Sequence, residues 1–185
     1  MQTIAVTATS PSPPFAWQDH HFVAGSPAID FANSVVYRLD RARREDRFRQ
    51  PADVDAWAVA AGLAVAPVAA ADWPDVIAVR DSIDCFFRTA SGSEAAAEWQ
   101  RMVRLYARHV AALQDVPHPG LLAFILHAAV ALRFSPSMLR VKACGGCGWL
   151  FLDRTRNASK RWCISALCGN RDKARRYYHR RKQVL

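Results

Sequence analysis

Four cysteines near the end of the chain are spaced so that they can converge on one metal ion. Cys144 and Cys147 flank Gly145-Gly146, Cys163 follows after fifteen residues and Cys168 after four more. This spacing reads as a four-thiolate zinc site. A C-x2-C turn brings two sulfurs to one ion, and Gly145, Gly146 and Gly148 let the backbone bend tightly there. Thiolates suit zinc, and four of them complete its tetrahedron. No position is then left for water or substrate, so the implied role of zinc is structural. Such binding contributes roughly 10–16 kcal/mol in small fingers. Residues 139–185 hold too few apolar side chains to fold without it. The fifth cysteine, Cys85, has no such neighbours and reads as a small buried hydrophobe.

The second chemical feature is charge. The net charge is +9, yet residues 133–185 hold fourteen Lys and Arg against Asp153 and Asp172. The preceding part holds eleven basic and fourteen acidic residues. One module therefore carries the basicity, which points to a nucleic acid or another polyanion as its partner. Arg171, Arg175, Tyr178 and Lys182 recur along one helical row about 16 Å long, enough to lie in a major groove. Lys173, Arg176 and Arg180 extend the basic helix, and Arg154, Arg156, Lys160 and Arg161 form a basic loop before it. Arg suits bidentate contact with phosphate or guanine edges.

These groups need elements to position them. Ser26-Pro27 reads as a helix start, with Phe31, Val35 and Leu39 on one face. Residues 38–49, with six Arg and three acids, read as a solvated connection. A second helix is expected from Pro51 to Gly62, with Val54, Trp57 and Ala58 inward. A third is expected from near Trp73 to Gly92, carrying Val76, Val79, Ile83, Phe86 and Phe87. Ser93 should cap a fourth whose stripe is Trp99, Met102, Val103, Tyr106, Val110 and Leu113. Pro117 and Pro119 break the chain before a buried fifth helix from Leu121 to about Arg133. The period then changes to two, with Leu139, Val141 and Ala143 alternating and Trp149 to Asp153 partly so. Two short strands thus flank the Cys144–Cys147 turn. A last helix from about Ser165 follows, with Leu167, Asn170, Ala174 and Tyr177 expected to pack against the strands.

Other candidate groups lead nowhere chemically. His20 and His21 are adjacent and cannot easily share a metal, and His109 and His127 read as satisfied core histidines. Asp30 and Asn33, three apart, are expected to bond to neighbouring backbone. No nucleophile–base pair, phosphate-cradling glycine loop or paired-acid motif is present, so an enzyme is not expected. Residues 1–14 lack the pattern of an export signal. The apolar run Leu121–Leu132 is too short to span a bilayer, and a cytoplasmic protein is expected. In a reducing cytosol clustered cysteines read as ligands, not disulfides.

The sequence also resembles a known family. Phe151-Leu152-Asp153-Arg154-Thr155-Arg156-Asn157, Arg161-Trp162-Cys163 and Cys168-Gly169-Asn170-Arg171-Asp172-Lys173 resemble the CGNR zinc finger, named for the residues at 168–171. Ala28-Ile29-Asp30-Phe31-Ala32-Asn33-Ser34, Asp53-Val54-Asp55-Ala56-Trp57 and Gly62-Leu63 resemble the ABATE domain that usually precedes it. Ser34 stands where the family usually has Thr, and Ala32 where a larger apolar residue is frequent. The family is described as stress-induced bacterial transcription regulators. The resemblance implies zinc on Cys144, Cys147, Cys163 and Cys168, DNA contact from the finger, and an α-helical N-terminal domain.

The expected architecture is mainly α. It has a disordered or extended Pro-rich tail over residues 1–19, an α-helical domain over 20–135 and a treble-clef-like ββα zinc finger over 136–185. The expected function is DNA-binding transcription regulation. Arg171, Arg175 and Lys182 would reach groove or phosphate while the loop cations fix register. Arg171, close to the cysteines, has a second role open to it, bracing the negative zinc–thiolate group. By analogy, the helical domain would sense a small effector or pair with a second copy. Two rivals use the same residues. One is RNA binding, with Trp149, Trp162, Tyr177 and Tyr178 stacking on bases; the other is a protein-interaction finger.

Overall fold

Apolar residues at helical spacing bring five helices around one core. In the computed structural model, which describes residues 13–89, 92–111 and 120–182, α1 spans Pro27–Ala32 and α2 spans Pro51–Ala60. α3 spans Trp73–Thr89, α4 Ser93–Ala111 and α5 Leu121–Arg133. Phe31, Trp57, Val79, Ile83, Met102, Ile125 and Leu126 are fully buried in the shared core. α3 lies at its centre, touching α1, α4 and α5. Among the described residues no helix is long and apolar enough to cross a membrane.

Several expectations are corrected. α1 stops at Ala32, so Val35 does not continue a helix. It belongs to β1 (Val35–Val36), which pairs antiparallel with β2 (Glu45–Asp46). Leu39 lies outside both and is exposed. The break goes with a distant pairing: Asn33 turns its amide to strand backbone elsewhere, and Tyr37 adopts φ 51°. The 38–49 stretch is not merely solvated. Arg80, 1% exposed, pairs with Asp46 at 2.6 Å, and Arg38 pairs with Asp81 at 2.7 Å and Asp84 at 3.3 Å. On α4, Met102 is buried and Trp99 and Tyr106 pack on the core, but Val103 and Val110 are exposed because only one side of this outer helix meets α3 and α5. Leu113, Pro117 and Pro119 lie outside the described residues.

The minor polar candidates also shift. His127 is exposed and its Nδ1 lies 2.9 Å from the Tyr106 hydroxyl, while His109 Nε2 lies 3.0 Å from Asp75. Cys85 is only half-buried. Its thiol is pushed up to about 11 by burial and by Glu94, whose carboxylate lies 3.4 Å away. At the start of the described chain, Phe15 N–H and the Trp17 indole donate to Asp53 Oδ1 and the Asp53 carbonyl at the head of α2.

The C-terminal part runs from a tight turn at Pro136–Arg140 into β3 (Val141–Ala143) and β4 (Leu150–Leu152). A π-type turn at Ser165–Gly169 then leads into α6 (Asn170–Lys182). β3 and β4 are antiparallel, with Val141 opposite Leu152 and Ala143 opposite Leu150. Leu139, expected on the strand face, sits in the preceding turn and is 91% exposed. Leu150 and Leu152 join the helical core, whereas Phe151 joins a second cluster with the four cysteines, Val36 and Trp149. The strands pack on α1 and α3, and Phe151 on their other face packs in the cysteine cluster, which leaves no apolar strand face for α6. Leu167, Asn170, Ala174 and Tyr177 are accordingly exposed instead of packed, and Asp172 is the buried residue of α6.

Candidate metal centre and nucleic-acid interface

The knuckle between β3 and β4 is shaped by backbone bonds that aim two sulfurs inward. Cys144 N–H donates to the Trp149 carbonyl at 2.7 Å, and Gly148 N–H to the Cys144 carbonyl at 3.0 Å. Gly148 sits at φ 78°, where a side chain would be strained. At Gly145 the need is space: a Cβ there would meet the Trp162 ring at 2.8 Å. Of the other two sulfurs, that of Cys163 lies just before the π-type turn and that of Cys168 within it, where Cys168 N–H donates to the Ile164 carbonyl at 2.9 Å.

The four Sγ atoms of Cys144, Cys147, Cys163 and Cys168 are buried and lie within 4.8 Å of one another. Cys147 and Cys163 are 3.6 Å apart, and Cys163 and Cys168 3.8 Å. Zn–S bonds of about 2.3 Å in a tetrahedron require sulfurs about 3.8 Å apart, so the cluster fits zinc. The chemistry of the set points the same way. Hydrogen bonds from Cys147 and Cys163 hold the Cys144 thiol far below its ordinary value. The ionised Cys144 pushes Cys147 up to about 12 and Cys163 far higher, and burial raises Cys168. Four thiolates share this space only around a cation. Zinc there supplies folding energy and offers no open coordination position.

The centre is tied to the helical part by polar bonds. Asn33 Nδ2 donates to the Leu150 carbonyl at 2.8 Å, and Leu150 N–H returns to Asn33 Oδ1 at 2.9 Å. Tyr37 N–H donates to the Cys147 carbonyl at 3.0 Å, Leu152 N–H to the Ala24 carbonyl at 2.9 Å and Arg88 to the Gly148 carbonyl at 2.9 Å. Asn33 thus bonds to backbone as its type suggested, though to a strand 117 residues away. His20 and His21 border the cluster without joining it. His21 accepts from Gln18 N–H through Nδ1, and burial, followed by Arg47 and His20, lowers it to about 4.

The basic loop hangs on Asp153. Its fully buried carboxylate accepts from Lys142 Nζ at 2.8 Å, Lys160 N–H at 2.8 Å, Thr155 N–H at 3.0 Å and the Thr155 hydroxyl at 2.5 Å. Burial pushes this carboxyl up, but these donors outweigh it and hold it well below the carboxylate range. Within the loop, Arg154 donates to the Gly25 carbonyl at 3.1 Å, so part of its role is structural. Lys160 lies over Phe151 and Arg161 over Trp162, while Arg156 is exposed.

On α6, Arg171, Lys173, Arg175, Arg176, Arg180 and Lys182 are all exposed. Arg175 and Arg176 each reach Asp172 at 2.9 Å. Arg171 Nη1 lies 3.4 Å from the Tyr37 hydroxyl. Arg171 and Arg175 line a cavity of about 120 Å³ with Tyr37, Arg43, Gly146 and Cys168. Arg154 and Lys160 line a different cavity, against Ala24 and Gly25. The structure therefore joins Arg171 and Arg175 to each other and separates them from Arg154 and Lys160. It also adds Arg43, which stacks 4.3 Å over Tyr37 and which the sequence reading placed in a solvated connection. Only the paired contact of a distant loop with the finger reveals it. Of the aromatic candidates for stacking, Trp149 is buried and Trp162 half-buried, whereas Tyr177 and Tyr178 are exposed.

Comparison with known families agrees with this organisation. Residues 25–136 match the family model described as "Putative stress-induced transcription regulator", ABATE, and residues 140–181 match the CGNR zinc finger. Neither a search of curated proteins nor one of solved structures gave a match.

Proposed function

Since this chain belongs to the ABATE family, described as "Putative stress-induced transcription regulator", and carries a CGNR zinc finger, we propose that it binds duplex DNA through α6 and thereby regulates transcription. The zinc ligands in this reading are Cys144, Cys147, Cys163 and Cys168. The observation that carries it is the exposure of α6: it follows directly on the turn that holds the buried ligand Cys168 and presents basic side chains over its whole length. A solvated tail would need no such anchor. Arg171, Arg175 and Lys182 contact phosphate or groove edges, with Lys173, Arg176 and Arg180 adding to the field. Arg43 joins them from the helical part. Arg156 and Arg161 supply backbone contacts from the loop, while Arg154 and Lys160 chiefly hold the loop in shape. The helical region senses a small molecule and passes its state to the finger through Asn33 and Ala24.

The test is duplex affinity across salt concentrations, with Arg171→Ala and Arg175→Ala alongside wild type. A falling affinity with added salt and weaker variants are expected; a slope near zero would sink the phosphate contacts, and a partner bound at high salt with no nucleic acid would mark a protein-interaction finger. The exposed Tyr177 and Tyr178 favour RNA as the second reading, because bases can stack on them. Direct competition between duplex DNA and structured RNA separates the two.

A further inference from the structure

Five carboxylates are buried among the described residues, and four of them have a cation. Asp53 pairs with Arg49, Asp84 with Arg88, Asp153 with Lys142, and Asp172 with Arg175 and Arg176. Asp30 differs. It is 8% exposed, accepts one hydrogen bond from Ala24 N–H at 2.9 Å, and has no ion-pair partner among the described residues. A buried carboxylate in that condition is costly, and the cost falls when a cation reaches it.

Asp30 also borders a cavity of about 370 Å³, within the range of small-molecule sites. Phe22, Trp57 and Leu63 give this cavity apolar and aromatic walls, and Asp19 adds a second carboxylate. Aromatic faces attract cations, so walls and acids favour the same kind of guest. We propose that the cavity binds a small organic amine, its ammonium pairing with Asp30 and its apolar body resting against Phe22, Trp57 and Leu63. Burial holds the Asp30 carboxyl up at about 7, against the pull of Ala24 N–H, so the protein by itself favours the neutral form and an ammonium beside it would favour the charged one.

The site is wired to the finger. Ala24, bonded to Asp30 through its N–H, accepts Leu152 N–H of β4 through its carbonyl. The next residue, Gly25, lines the cavity and accepts from Arg154 of the basic loop. This deepens the reading that the helical region senses a small molecule. Its test uses no nucleic acid, so its outcome is separate from that of DNA binding.

The experiment titrates the zinc-loaded full chain at about pH 8, where Asp30 is ionised, with phenethylamine and with its neutral counterpart phenethyl alcohol. Calorimetry gives affinities, and amide spectra report Leu152. The amine is expected to bind at least tenfold more tightly than the alcohol and to move the Leu152 signal. Asp30→Asn, which keeps an acceptor for Ala24, should abolish that preference while retaining zinc. Equal affinity for amine and alcohol, no binding of either, or an undiminished preference in Asp30→Asn overturns the proposal. If Asp30→Asn fails to fold, Asp19→Asn decides: the preference for the amine should survive there, and its loss would move the pairing to Asp19 and overturn the proposal.

Discussion

The two ends of the zinc finger are built by opposite rules. β4 is buried on both faces, and every bond it makes to the helical part has a named partner: Asn33 on both backbone groups of Leu150, and Ala24 on Leu152. α6 leaves the same four cysteines and is exposed along nearly its whole length. One end is fixed into the core of the protein; the other is held out from it. The cysteine cluster lies where these two regimes meet. Affinity should therefore respond to changes in α6, and stability to changes at the cluster and β4.

Five perturbations test this division. The largest effect belongs to the metal. Chelation, or Cys163→Ser, should abolish zinc binding and unfold residues 139–185, a loss on the order of 10 kcal/mol; zinc content and circular dichroism check it. Next is Asn33→Ala, which strips two buried backbone groups of Leu150 of their partners. It should cost about 2–4 kcal/mol in chemical denaturation while leaving α6 itself untouched. A comparable retention of stability would mean that β4 docks by apolar burial alone.

The third concerns Asp30. Its folded value of about 7 lies above its unfolded value, so the neutral carboxyl is the form the fold favours. The contribution of Asp30 to stability is then greatest below the unfolded value and declines as pH rises from there through about 7. Between about pH 5 and pH 8 the decline should be about 2–3 kcal/mol more for wild type than for Asp30→Asn. Parallel curves would contradict it. The smallest stability effects fall on α6: Arg171→Ala and Arg175→Ala should each change stability by about 0.5 kcal/mol or less, since Arg176 still holds Asp172. If Arg171→Ala instead lowers zinc affinity, Arg171 braces the thiolate cluster. Arg43→Ala should weaken duplex binding by a few-fold without affecting zinc, which tests whether the helical part shares the interface.

Much of this was legible in the residues. The cysteine spacing and the helical periods carry local information, and α2, α3 and α5 fall where their apolar repeats place them. What was hidden depends on distant pairing. Nothing around Val35 says that Asn33 will turn to Leu150, so the first helix was read too long. Nothing in 38–49 says that α3 will offer Arg80 to Asp46, so a braced hairpin looked like a solvated stretch. The packing face assigned to α6 failed for the same reason, because α1, α3 and the cysteine cluster already cover the strands. Asp30 is the clearest case: its type was plain, but that no cation among the described residues pairs with it depends on how distant elements pack.

The most direct measurement of the central claim is the salt dependence of duplex DNA binding by the zinc-loaded protein and by the Arg171→Ala/Arg175→Ala double variant. Five or so phosphate contacts imply that log affinity falls with log salt at a slope of about −4 or steeper for wild type. The double variant should be shallower by about two, with zinc content and unfolding unchanged. A wild-type slope near zero, or the same slope in both proteins, would contradict the account.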